Sequence, residues 1–190
     1  MPSLAEQCLE KIHTRNIEIS TFDTGNGRSI IVEGVLRDRR MKNSYTVSGN
    51  QKSPGIVHHL EIRMKVTGPE LMIQEIEVEM PGTPRKQCPE TRNSLQPIVG
   101  KNIAPGFTEM VKRLAGGSKG CAHLTALLIT MAPAAVQGFW AKYSQKPIEG
   151  DAPHEAMQKF LVDTCYVWRK DGPLMKELLD EVQAVMEKPS

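Results

Sequence analysis

His58-His59-Leu60-Glu61-Ile62-Arg63-Met64-Lys65-Val66 alternates apolar and polar residues without a break after its paired histidines. A period of two marks a strand with one face on a core and one in water, because successive side chains leave a strand on opposite sides. Leu60, Ile62, Met64 and Val66 therefore share the buried face, and Glu61, Arg63 and Lys65 the wet one. The same parity puts His58 on the buried side and His59 on the wet side. An imidazole on an apolar face needs a partner.

Downstream, Gly68-Pro69 turns the chain into Leu71 to Met80, where Met72, Ile76, Val78 and Met80 are expected on one face. Upstream, Asn16 to Asp23 and Ile30 to Leu36 flank Thr24-Gly25-Asn26-Gly27 and predict a first hairpin. Residues 41–56 carry few large apolar side chains and read as a loop. After Met80 the pattern turns helical. Cys88-Pro89-Glu90 opens a short helix that Gly100 ends, and Phe107 to Ala115 forms another, closed by Gly116-Gly117. A long helix then runs from Cys121 to Lys142, with Pro133 expected to kink it. Pro147 to Pro153 reads as a linker, and further helices are expected at His154 to Trp168 and Pro173 to Glu187.

Strands first and helices afterwards predict an α+β fold, an antiparallel sheet of two hairpins covered on one face by helices. The expected organisation is a single domain over 1–190. Residues 16–80 are mainly strands, 88–187 mainly helices, and 1–10 a mobile segment.

Charge narrows the function classes. The 190 residues carry a formal net charge of +2, spread evenly: residues 1–86 and 87–190 each hold 12 Lys/Arg and 11 Asp/Glu. Neither a basic stripe nor an aromatic platform is legible, which argues against nucleic acid as a partner. The longest apolar stretch, Leu124 to Trp140, contains two threonines, a proline and a glutamine, and reads as a buried helix rather than a membrane span. Four cysteines without a secretion signal read as thiols or ligands in a cytoplasmic protein.

The chemistry concentrates in Gly116-Gly117-Ser118-Lys119-Gly120-Cys121-Ala122-His123-Leu124. A thiol and an imidazole stand at the mouth of the long helix, where free backbone N–H groups stabilise a thiolate. The bland alternative is a cysteine packed as a small hydrophobe beside a partly buried histidine. Cys88 at a second helix start and His58 by strand parity extend the set. His58, Cys88, Cys121 and His123 make two thiols and two imidazoles, a set suited to zinc or iron. Cys165 is an alternate member. Cys8 lies in the N-terminal segment, and His13, His59 and His154 read as solvated. The glycine-rich run lacks the spacing of a phosphate-binding loop.

Several motifs together resemble a bacterial family known as domain of unknown function 2889. They are His13-Thr14-Arg15, Glu33-Gly34-Val35-Leu36-Arg37-Asp38, Cys88-Pro89, Ile103-Ala104-Pro105-Gly106-Phe107-Thr108, Gly120-Cys121-Ala122-His123-Leu124, and Cys165 with Asp171-Gly172-Pro173. The resemblance spans residues 11–175 and implies no particular reaction. A weaker, architectural resemblance is to iron–sulfur cluster assembly scaffolds. It implies a scaffold-like core with extra C-terminal helices, with Cys88 and Cys121 at two of the three cysteine positions. Apart from Cys8 in the N-terminal segment, no cysteine precedes the His58–Met80 hairpin, and His58 lies close to where an acidic ligand would stand.

The leading expectation is thus a metal-binding protein holding zinc, iron or an iron–sulfur cluster at His58, Cys88, Cys121 and His123. One alternative is a metal-free cysteine enzyme, with Cys121 as nucleophile and His123 or His58 as base. Another is an interaction module whose helices beyond residue 153 dock an unknown protein partner.

Overall fold

A computed structural model describes residues 2–145 and 161–186. The chain groups into two compact units, Met1–Lys142 and Tyr143–Ser190. The first contains a four-stranded antiparallel meander of β1 (His13–Asp23), β2 (Ser29–Arg40), β5 (Gly55–Thr67) and β6 (Met72–Gly82), in that spatial order. This is the expected α+β class, built on two hairpins. Leu60, Ile62, Met64 and Val66 are all fully buried, as the alternation requires.

Two local expectations fail for identifiable reasons. Residues 41–56 are not all loop: β3 (Ser44–Tyr45) and β4 (Gln51–Lys52) pair as a small second sheet. Its ladder is two residues long and polar, so no apolar alternation announced it. On β6, Ile73 rather than Met72 joins Ile76 in the core, while Met72 is exposed. Val66 pairs with Ile73 but Lys65 pairs with Glu75, so Gln74 is an extra residue opposite the partner strand. A β-bulge of this kind inverts parity along the strand.

The helical part begins with two short 3₁₀ turns, Cys88–Thr91 and Gln96–Ile98, where a single short helix was expected. Helix α1 (Phe107–Ala115) turns Phe107, Val111 and Ala115 inward. Helix α2 (Ala122–Tyr143) includes Pro133 and buries eight residues, among them Leu124, Leu127, Leu128 and Met131. It is long and apolar enough to cross a membrane by composition, but it lies on the sheet of its own chain. Its course follows from three contacts. Near its start His123 faces Asp38, midway Met131 meets Gly34, and at its end Lys142 bonds Asp23 and the Ser29 carbonyl. Helix α2 therefore runs antiparallel to β2. About 33 Å of helix matches about 40 Å of strand.

Gly34 is what allows the midway approach. A Cβ there would stand 2.6 Å from the Met131 sulfur, so only hydrogen fits between strand and helix. In the second unit, residues 161–168 form turns where a helix over His154–Trp168 was expected. The remainder of that segment, and the linker expected at Pro147–Pro153, lie outside the described residues. Helix α3 (Pro173–Met186) follows as anticipated, and Leu161 and Met175 are buried.

Candidate functional site

Strand β2 sends Ile30, Val32, Gly34 and Leu36 into the core, and the next residue of that parity is Asp38. A carboxylate in this position must be paired, because burying an unpaired charge is very costly. Its side chain is only 3% exposed. Arg15, directly opposite on β1, supplies the counter-charge through a fork: Nε donates to Oδ1 and Nη2 to Oδ2, each at 2.7 Å. That bidentate geometry is the strong form of the pair.

His58 sits opposite Asp38 on the other side, in β5, and its Nδ1 lies 3.0 Å from Oδ2. His123, in the first turn of α2, brings Nε2 to 3.7 Å from the same oxygen. The two imidazoles stack with centroids 3.9 Å apart. His13 contributes Nε2 at 3.6 Å from Oδ1, with half of its side chain exposed. One carboxylate thus gathers a guanidinium and three imidazoles from β1, β5 and α2.

The electrostatics follow from this packing. Hydrogen bonding to Arg15 holds the Asp38 carboxyl below its ordinary value of 3.8, with burial opposing and the Arg15 and His58 charges assisting. His123 is held below the ordinary 6.5, first by burial and then by the His58 and Arg15 charges, which outweigh Asp38. The His123 ring is therefore neutral at pH 7, with a nitrogen lone pair available.

The described residues contain one set of three donor atoms that all lie within 4.8 Å of one another, those of Asp38, His58 and His123. The sequence-derived quartet is redistributed accordingly. His58 and His123 come together, and His58 turns inward as its parity implied. Cys121 stands at the cap of α2, its carbonyl accepting from the Thr125 amide at 2.9 Å. Its Sγ lies 3.9 Å from Nδ1 of His123, the nitrogen opposite the one facing Asp38. Cys88, half-buried at the first 3₁₀ turn, does not belong to the donor set. The cysteines are thus not brought together as ligands, and the two-thiol arrangement gives way to two imidazoles and a carboxylate. Cys165 is exposed among the turns of the second unit. His59, expected to be solvated, is less than a quarter exposed and places Nε2 2.9 Å from Glu61.

Asp38 and Arg15 are the site residues that a search for cysteine and histidine misses, and His13, which read as solvated, also reaches Asp38. The signal for Asp38 was available, since it shares parity with Leu36 on an apolar strand face.

A model of the family described as "protein of unknown function (DUF2889)" matches residues 13–137. The chain belongs to that family. The matched segment of the DUF2889 protein begins at His13 and encloses every member of the Asp38 cluster, together with Cys88 and Cys121. Cys8 and Cys165 fall outside it. No curated protein and no solved structure matches the chain.

Proposed function

We propose that this DUF2889 protein binds one zinc or iron ion through Asp38, His58 and His123. The observation that carries this reading is the convergence of three donor atoms from β2, β5 and α2 within 4.8 Å. Donors around a tetrahedral zinc ion lie roughly 3.3 Å apart, given bonds near 2.0 Å, so modest side-chain movement closes the set. Asp38 Oδ2 is already the meeting point of His58 and His123. Asp38 and His58, which hydrogen-bond each other, would both turn to the ion, while the Arg15 fork would go on orienting the carboxylate. Two imidazoles and one carboxylate form an N/O set suited to a single zinc or iron(II) ion with open positions. An iron–sulfur cluster, which requires mainly thiolates, is not the better fit. When bound, such an ion supplies Lewis acidity or a redox centre.

The test is elemental analysis of protein purified without chelator. About one equivalent of zinc or iron is expected, falling at least tenfold in His58→Ala and His123→Ala. Less than about a tenth of an equivalent in the intact, reduced protein sinks the reading.

A second reading rests on a different observation. Cys121, His123 and Asp38 form a chain in which Sγ is 3.9 Å from one imidazole nitrogen and the carboxylate 3.7 Å from the other. Thiol, base and orienting carboxylate in that order suit a cysteine nucleophile. Single-site alkylation of Cys121 at neutral pH, unaffected by chelator, favours this reading. A thiol that reacts only after chelator treatment favours the metal.

A further inference from the structure

The geometry points to a second binding site: a pocket for a small organic polyanion at the end of the sheet that carries Asp38 and His58. A cavity of about 620 Å³ opens there, lined by the β3–β4 hairpin, the ends of β2 and the beginning of β5, and the segment following β6. Its volume is in the range of small-molecule sites.

The lining chemistry selects the ligand. Arg40, Lys52 and Arg85 line the cavity, and among the described residues no aspartate or glutamate does. Three positive charges around one cavity contrast with a net charge of only +2 for the whole chain. Two acidic residues of the adjoining strands are committed elsewhere. Asp38, two positions before Arg40, faces Arg15 and the histidines, and Glu61 faces His59 and Arg63.

Arg40 adds an independent observation. Its Nη2 donates to the Ser53 carbonyl at 2.6 Å, which pins one side of the guanidinium. Its Nε is buried and has no hydrogen-bond partner. That nitrogen is enclosed by the protein itself, so Arg40 serves the cavity as a positioned charge rather than through Nε. Around these cations stand neutral hydrogen-bonding groups, including Thr46 and Asn50, while Tyr45 and Ile56 supply apolar surface. Cations, neutral donors and an apolar patch suit a compact molecule with two or more negative charges on a carbon skeleton. Organic phosphates and polycarboxylates share that chemistry. Arginine binds both through the same planar fork.

The hairpin that forms one wall is short, with pairs Ser44↔Lys52 and Tyr45↔Gln51 only. The Thr46 amide bonds the Asn50 carbonyl at 2.9 Å, and Gly49 takes the left-handed conformation that closes the turn. This arch holds Lys52 on the cavity, and the lysine pairs with no carboxylate among the described residues. Val57, also in the lining, immediately precedes His58. The pocket therefore adjoins the Asp38 cluster, yet its cations and its ligand do not depend on a metal being held there.

The experiment is calorimetric titration of the full-length protein, as purified, with phenyl phosphate, citrate and inorganic phosphate at low salt. Saturable one-site binding of phenyl phosphate or citrate is expected, with Kd below about 1 mM and at least about tenfold tighter than inorganic phosphate. Both Arg85→Gln and Lys52→Gln replace exposed side chains, and each is expected to weaken binding about tenfold. Phenyl phosphate and citrate used as separate titrants distinguish a phosphate ligand from a carboxylate one. No saturable heat up to about 10 mM, or variants that bind as tightly as the parent, overturns the inference. So does affinity for single-stranded oligonucleotides that rises with their length, which would make the cations part of an extended nucleic-acid face. Metal content is measured on the same samples, so failure here is separable from failure of the metal reading.

Discussion

The two ends of β2 face α2 in opposite ways. From Ile30 to Leu36 the inward residues are apolar or glycine, and the helix approaches until Met131 meets the Gly34 backbone. One step of parity further, Asp38 is inward and the helix presents His123 instead of Leu127. The first region is held by excluded water and close packing, the second by a charge that must be paired. Such a polar end on a continuous core is weak evidence for stability, because desolvation offsets much of what the ion pair contributes. Its value lies in gathering reactive groups.

That contrast can be broken by substitution. The largest loss of stability is expected from Leu36→Ala, about 3 kcal/mol for a fully buried leucine, with metal content per folded protein unchanged. Urea unfolding and elemental analysis of the same preparation check both halves. Loss of metal in this variant would mean that the apolar region also builds the site. Asp38→Asn is expected to cost less, about 2 kcal/mol, because Arg15 is 41% exposed and water screens the fork. It should nevertheless reduce bound metal at least tenfold. Retention of a full equivalent would remove Asp38 from the ligand set.

Acidification probes the polar end alone. In metal-free protein, His123 is harder to protonate folded than unfolded, so the unfolded chain takes up the proton first as pH falls through 6.5. Stability should decline from that pH down to the lowered folded value, with a slope of at most about 1.4 kcal/mol per pH unit for one proton. The contribution of Asp38 is fully present above 3.8 and is lost as pH falls through its lower folded value. Unfolding midpoints from neutral to acid pH should show the first decline in the parent protein and a flatter course in His123→Gln. Equal slopes would mean that His123 carries no linkage. The smallest effect is expected from Lys142→Met at the far end of α2, since its partner Asp23 is half exposed. A shift in its midpoint as large as that of Leu36→Ala would overturn the view that packing governs this end.

Much of the sheet was legible because the apolar alternation of Leu60 to Val66 leaves a single strand reading. The β3–β4 hairpin was not, since Ser44, Tyr45, Gln51 and Lys52 carry no periodic signal. The extra residue Gln74 falsified the face assigned to Met72, and bulges leave no mark in a hydrophobic pattern. At the site, His58 followed from parity and His123 from its place at the start of α2. Asp38 carries its signal only in the β2 parity that turns it inward after Leu36, not in any ligand motif. Cys88 lies outside the donor set, since a helix mouth says nothing about what it opens onto. Which of two plausible donors meet is decided by strand pairing and the path of α2, and both are long-range properties of the fold.

The contact between Met131 and Gly34 also acts as a fulcrum. His123 lies eight residues earlier on the same helix, about 12 Å along its axis. That contact sets the height of α2 together with Gly138 against Thr21 and Phe139 against Gly68 nearer the far end, so a change at Met131 is expected to move the imidazole. A bulkier residue at position 34 or a smaller one at 131 would therefore retune the reach of His123 toward Asp38 without touching either residue.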